Sequence, residues 1–344
     1  MADFSLIVGG YTDEASQGVF RLGYNSQAHR FSQAQLIAST QNPSIALKHG
    51  ALWYVVEEAD PGKVHVYQTD GHTSWNCLAT IDSGGASPCH LAIDANASHL
   101  AVANYMGGSI AIFSLDETGI PQSSPQVMQH YGRGLTARQE APHAHYVAFA
   151  HNYAQQPGIY AVDLGLDQVI WYAHIQPGVW GDAQIVLRAP AGDGPRHLAI
   201  HPANGKIYLL NELSNILSVH EVAADGSWHT QQRISTLPTG FNGENISAHI
   251  IISESGQYVY TSNRGHHSIA VFKIRADGTL ELLQIQSCGG LWPRYFTFLD
   301  SGTRLIVAHE HSNSLAAFIV EPNGCLQDTQ ARGSVHRPTF VVEA

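Results

Sequence analysis

A chain of 344 residues that is 44% hydrophobic, only 13% charged and carries 32 glycines has ample length for a large core and too little charge for long surface helices, so it reads as globular and mostly β. The formal charge of -11, from 28 acidic against 17 basic residues, repels phosphate backbones and argues against a nucleic-acid partner. No apolar window approaches the length of a membrane span, the N-terminal MADFSLIVGGYTDE has no signal-peptide pattern, and Cys77, Cys89, Cys288 and Cys325 show no CxxC spacing; the expectation is a cytoplasmic protein with no membrane partner, no zinc knuckle, no disulfide scaffold and buried or semi-buried free thiols.

Along the chain one pattern returns: an apolar run, a turn, a second apolar run, a short loop and a third run. It begins incompletely with FSLIVGGYTDEASQGVFRL, then appears as PSIALKHGALWYVVEEADPGKVHVY from Pro43 and as PCHLAIDANASHLAVANYMGGSIAIF from Pro88. A copy with a longer turn, PHAHYVAFAHNYAQQPGIYAVDLGLDQVIWY, starts at Pro142, and PRHLAIHPANGKIYLLNELSNILSVH follows from Pro195. SAHIIISESGQYVYTSNRGHHSIAVF from Ser247 and PRYFTFLDSGTRLIVAHEHSNSLAAF from Pro293 complete the set, and the terminal RPTFVVEA supplies the first run that the N-terminal copy lacks. The copies from Pro88, Pro195, Ser247 and Pro293 align without a gap, sixteen residues separating the leading residue from the Asn or His that ends the second run.

Seven units at intervals of roughly 45 to 55 residues match four-stranded propeller blades, with variable stretches such as GTLELLQIQS as the outermost strands. The expected fold is therefore all-β: a single seven-bladed β-propeller domain over residues 1–344, closed by the C-terminal strand joining the N-terminal blade so that no sheet edge is left open. Weak alternation in first runs such as HLAI predicts an inner strand buried on both faces.

In an antiparallel hairpin the start of the first strand and the end of the second share one end of the sheet, which in a propeller faces one mouth of the central channel. That mouth gathers His90, His143, His145, Arg196, His197, His249, Arg294 and Tyr295 from strand starts, and Glu57, Asn104, Asp163, Asn211, Glu212, Asn263, Arg264, His309 and Glu310 from strand ends. Asn104, Asn211 and Asn263 recur at one repeat position and, with Asp163 in the same place, read as turn-capping residues. Arg196 and Arg294 share a position that holds Cys89 and Ala248 in other copies, and Glu212 and Arg264 share one that holds Tyr105 and Leu164. Charge confined to particular copies is not demanded by the fold, which marks these four as functional candidates.

The stretches APHAHYVAF, DLGLD, GPRHLAIHP, NELSN and SNRGHHSIAVF resemble the lactonase family of seven-bladed propellers, which contains bacterial 6-phosphogluconolactonases and fungal 3-carboxy-cis,cis-muconate lactonizing enzymes. The resemblance spans essentially the whole chain. It implies a catalytic set of His145 (or His143) from PHAH, Arg196 from GPRH, Glu212 from NEL and Arg264 from SNRG; from their place at the same mouth, His143, His197, His249 and Arg294 are expected to bind substrate beside it. It also implies a small anionic lactone as substrate, carbohydrate metabolism as the setting, and neither cofactor nor metal. Family members usually read AEIHIS where this chain has AHIIIS, so His249 stands for a Glu and Ile251 for a His.

On chemical grounds, Arg196 and Arg264 suit a substrate anion and a developing oxyanion, because a guanidinium stays charged and forks onto oxygen pairs. His145 suits the general base, and Glu212, between arginines, an orienting role. The same residues fit a lactonizing cycloisomerase. Two other classes stand beside these: a metal-dependent lactonase using the HxH pairs His143/His145 and His309/His311, and a non-catalytic binding propeller. Among the scattered tryptophans, Trp171 and Trp180 read as packing, and Trp292, next to Pro293 and Arg294, as a wall of the pocket.

Overall fold

The computed structural model describes residues 3–14, 17–69, 75–122, 124–152 and 155–344; Ala15 and Ser16 of the N-terminal copy and Tyr153 and Ala154 of the longer turn lie outside them. The described strands form seven antiparallel sheets of four or five strands, one per sequence copy. Three residues, Ala137–Gln139, make the one short helical turn among the described residues. Among the described residues no helix is long and apolar enough to cross a membrane. The architecture is the all-β, seven-bladed one that the repeat predicts.

By contact the chain groups into two compact units: the first holds the chain up to Ser44, Ala199–Val219 and Gln231–Ala344, and the second Ile45–Leu198 and His220–Thr230. In the first unit, strand Pro338–Glu343 pairs with Phe4–Gly10 through Leu6↔Glu343 to Gly10↔Pro338, completing the N-terminal sheet as the split copy requires. Gly9 makes this possible, since a Cβ there would collide with the ring of Phe340, which is fully buried. Sheets starting at Ile246–Ile252 and Pro293–Leu299 continue this unit, with cores built on Tyr260, Phe272, Phe296 and Phe318. The second unit holds the sheets that start at Ala46–His49, Pro88–Ile93 and Ala144–His151.

Burial corrects the expectation for the first runs. It is the second strand of a sheet that is buried throughout, as in Leu52–Glu57 and His99–Asn104, whereas Pro88–Ile93 is only partly covered. The reason lies in the strand order: the first strand is an edge with one neighbour, and the second lies between two. The four cysteines are free, and Cys77 is exposed rather than buried.

Candidate functional site

Two register positions supply almost every candidate residue. At the start of the first strand the pairing skips one residue: Pro88↔Asn104 is followed by His90↔Ala103, Ala144↔Asp163 by Tyr146↔Val162, Pro293↔His309 by Tyr295↔Ala308, and Gly10↔Pro338 by Gly9↔Phe340. The skipped residues are Cys89, His145, Arg294 and Thr339, and Arg196 holds the corresponding place in its copy. A β-bulge takes a residue out of the ladder and re-aims its side chain, so this position is free to vary chemically. The register also corrects the repeat. Sequence alignment starts the longer-turn copy at Pro142, which would equate His143 with Arg196, whereas the pairing starts it at Ala144 and gives that place to His145.

The second position lies at or just after the end of the second strand and holds Tyr105, Leu164, Glu212, Arg264, Glu310 and, from the split copy, Tyr11. The residue one step earlier is structural. Asn104 donates to the Ser83 carbonyl and Asn263 to the Thr236 carbonyl, at 3.1 and 2.8 Å. Asp163 accepts from the backbone N–H groups of His143 and Leu166 and lies 2.6 Å from His130 Nδ1.

In the second unit these positions build a cluster of imidazoles. The His145 ring sits edge-on to Tyr105 and to His197, with centroids 5.2 and 5.4 Å away, and its Nδ1 lies 3.7 Å from the Cys89 thiol. Arg196 is 3% exposed and donates Nη1–H to His197 Nε2 at 2.9 Å, which places the His197 proton on Nδ1. The His90 ring lies tilted against Tyr146, centroids 4.0 Å apart, and accepts from the Val147 N–H. Burial, reinforced by the Arg196 charge, pushes the His90 imidazole down to about 3, so it stays neutral at physiological pH. His143 stacks on Tyr105 at 4.3 Å, donates Nδ1–H to the Tyr105 carbonyl and turns Nε2 toward Glu140.

In the first unit the same positions build a cluster of guanidiniums. Arg264, 3% exposed, donates Nη2–H to Glu212 and to the Ser247 carbonyl, both at 2.8 Å, and its guanidinium lies 5.7 Å from the Trp292 ring centre. Burial pulls the Arg264 guanidinium below its ordinary value and Arg294 adds to this, while Glu212 and Glu310 push it back; it remains a cation. Arg294 donates Nη2–H to the Tyr11 hydroxyl at 2.8 Å. Both Arg294 and Arg337 lie 5.2 Å from the Tyr11 ring centre, and Arg337 pairs with Glu310 at 3.1 Å. His249 stacks on Tyr295 at 4.0 Å, whose hydroxyl burial pushes up to about 12. Trp292 is stacked against His311 at 4.4 Å.

Trp292 and Arg337 each precede the leading proline of a copy, and both have left-handed backbones, φ 67° and 38°, as does Ser87 at 55° in the same place. Bulky residues pay for that conformation and residues before proline avoid helical space; such strain tends to gather where a side chain must be aimed.

The structure thus brings His143, His145, Arg196 and His197 into one cluster, and Glu212, Arg264 and Arg294 into the other, with His249 stacked on Tyr295. Tyr11 and Arg337 escape the sequence reading. Aligning LIVGGY with LAVANY puts Tyr11 in the place of Tyr105, and that alignment is the signal that would find it. The two members of the His309/His311 pair sit in different surroundings. His309 is buried and donates Nδ1–H to the Ser314 carbonyl, whereas His311 is half-exposed on Trp292. Among the described residues no three His, Cys, Asp or Glu side chains come together so as to hold a metal ion.

Comparison with known proteins shows the family of the chain. Residues 5–343 match the family model described as lactonase, 7-bladed beta-propeller. A 6-phosphogluconolactonase of Bacillus subtilis is 34% identical over 321 residues, covering 90% of this chain and 89% of that protein. Among solved structures, a periplasmic gluconolactonase of Pseudomonas aeruginosa superposes with a TM-score of 0.91 at 25% identity over 99% of both chains. A putative 6-phosphogluconolactonase of Bacteroides uniformis gives 0.88 at 26% identity over 100% of both.

Proposed function

The chain belongs to the family of seven-bladed β-propeller lactonases, and from that premise we propose that it hydrolyses a 6-phosphoaldono-lactone with its own side chains. The observation that carries the reading is the packing of His145 against the Arg196–His197 pair in one buried cluster.

Opening such a lactone requires water to attack the ester carbonyl while negative charge grows on the carbonyl oxygen. Arg196 supplies a fixed cation with a planar fork of donors, already oriented before the reaction by His197. His145 takes the proton as the water oxygen bonds to carbon, then passes it to the ring oxygen as the carbon–oxygen ester bond breaks and the alcohol leaves. Imidazole suits that exchange because it ordinarily titrates near neutrality. His90, held near 3, is too weak a base for it, and His197 Nε2 is already engaged by Arg196. Glu212, ion-paired with Arg264 at 2.8 Å, orients that guanidinium, whose donors are shaped to hold an anion. Free thiols at all four cysteines fit a reducing compartment.

The test is the opening of 6-phosphogluconolactone, corrected for its spontaneous rate. His145→Ala should lower kcat about 100-fold or more, and Arg196→Ala by a similar factor. Unchanged rates in both variants would remove the mechanism.

A further inference from the structure

A tyrosine ties successive copies of the repeat together. Tyr54, Tyr160, Tyr208 and Tyr260 hold one repeat position, three residues before the Glu, Asp or Asn that ends the second run. Three of them donate the hydroxyl to a glycine carbonyl in the turn after the third strand of the next copy: Tyr54 to Gly119 at 2.6 Å, Tyr208 to Gly278 at 3.0 Å and Tyr260 to Gly324 at 2.7 Å. The corresponding turn for Tyr160 is built in the same way, Asp225 accepting from the Ser227 N–H at 2.9 Å as Asp116 does from Thr118 and Asp277 from Thr279. Yet among the described residues no hydrogen bond joins Tyr160 to Gly226. Both instead line a cavity of about 240 Å³, all of whose lining residues belong to the second unit.

The cause lies across the ladder. Tyr54 and Tyr260 face Val66 and Val271, whereas Tyr160 faces Trp171. The Trp171 ring centre is 4.6 Å from that of Tyr160, and the indole lies against Gly158, where a Cβ would collide with it. A bulky ring in the place of valine keeps tyrosine and turn apart. Among the four copies with the tyrosine this departure is confined to one, so the fold does not demand it.

The cavity holds an unmet donor. Trp171 is 1% exposed, and its Nε1–H, a group that can only donate, has no hydrogen-bond partner. Buried indole N–H groups nearly always find one, so the lining asks for an acceptor from outside the chain. Asn152 and Gln184 add amides, which both give and accept hydrogen bonds, and Ile185 adds apolar surface. Asp225 adds a carboxylate that the Ser227 hydroxyl and N–H hold below its ordinary range. An ammonium ligand would leave the indole unmet, and a phosphate or carboxylate would meet the Asp225 charge. A ring of hydroxyls offers acceptors, donors and C–H faces without charge. At ~30 Å³ for each water the space equals about eight waters, the scale of a single such ring.

We propose that this cavity is a binding site for one neutral sugar or polyol ring, held by the Trp171 indole, Asp225 and Gln184. The site goes beyond the lactonase reading and does not rest on it, since none of its lining residues belongs to either the imidazole or the guanidinium cluster.

The probe is D-glucose, read by the Trp171 indole N–H resonance in proton–nitrogen correlation spectra and assigned by its loss in Trp171→Phe. Glucose should move that resonance and saturate with a Kd of about 1 mM, the range open to a ligand of this size. Gln184→Ala, at an exposed side chain, should weaken binding about fivefold, and Ala224→Phe, at an exposed turn residue that lines the cavity, should abolish it. Gluconate, rich in hydroxyls but charged, should bind about tenfold more weakly than glucose. Arg196→Ala should leave the glucose shift in place, so the site and the lactonase reading stand or fall separately. A resonance that stays put at about 100 times that concentration, or that shifts equally in Ala224→Phe, overturns the site, and equal binding of gluconate overturns its preference for a neutral ring.

Discussion

The imidazole cluster of the second unit and the guanidinium cluster of the first are made at the same two register positions. The bulge holds Cys89 and His145 in one and Arg294 and Thr339 in the other. The place after the second strand holds Tyr105 and Leu164 in one, and Glu212, Arg264, Glu310 and Tyr11 in the other. The resulting fields differ in kind. Stacked rings and a neutral His90 dominate the first, while buried formal charges that depend on their partners dominate the second. A bulged residue owes nothing to the ladder, so one scaffold tolerates both chemistries, whereas the adjoining Asn and Asp, which hold turn backbone, do not vary in that way.

The contrast can be broken most sharply at Glu212. Glu212→Ala leaves the buried Arg264 charge without its closest carboxylate and should cost about 3 kcal/mol in urea unfolding; a loss below 1 kcal/mol would mean the guanidinium cluster does not depend on internal pairing. A smaller effect separates structural from functional positions through pH. His309 is fully buried where other copies carry Asn, and burial pushes its imidazole down to about 4. The unfolded chain therefore binds a proton that the folded one refuses: the contribution is complete above pH 6.5 and is lost as the pH falls from there to 4. His309→Asn should relieve about 2 kcal/mol of the destabilisation between pH 7 and 4.5, read from urea midpoints at the two values. The smallest effect belongs to the exposed Arg275–Glu281 pair, 3.4 Å apart, where Arg275→Gln should change stability by less than about 0.5 kcal/mol; a larger shift would undo the distinction between buried and surface pairs.

Much of this was readable because a repeat pins register: the sixteen-residue interval reappears as the pairs Pro88↔Asn104, Ser247↔Asn263 and Pro293↔His309. Charge confined to single copies then singled out Arg196, Glu212, Arg264 and Arg294. What escaped has physical reasons. An apolar run does not say whether its strand is an edge or a centre, so the first strands were assigned too much burial. The PHAHYV stretch offers several starts for one strand, and pairing alone chooses Ala144. Tyr11 and Arg337 belong to a copy whose halves stand at opposite ends of the chain, so aligning continuous copies, which reveals Arg264 and Trp292, does not reach them.

That division has a consequence for how the protein comes into being. Thr339 and Gly9 are hydrogen-bonded partners separated by 330 positions, and closing so long a loop costs roughly 5 kcal/mol of chain entropy, to be offset by the ladder and by Phe340 and Val341, both fully buried. The sheet that holds Phe4–Gly10 is completed only when Pro338–Glu343 arrives. Until its remote strand is synthesised, Phe4–Gly10 presents an open edge to any neighbouring chain, so nascent protein is exposed to mispairing at a segment whose last five residues the mature fold buries.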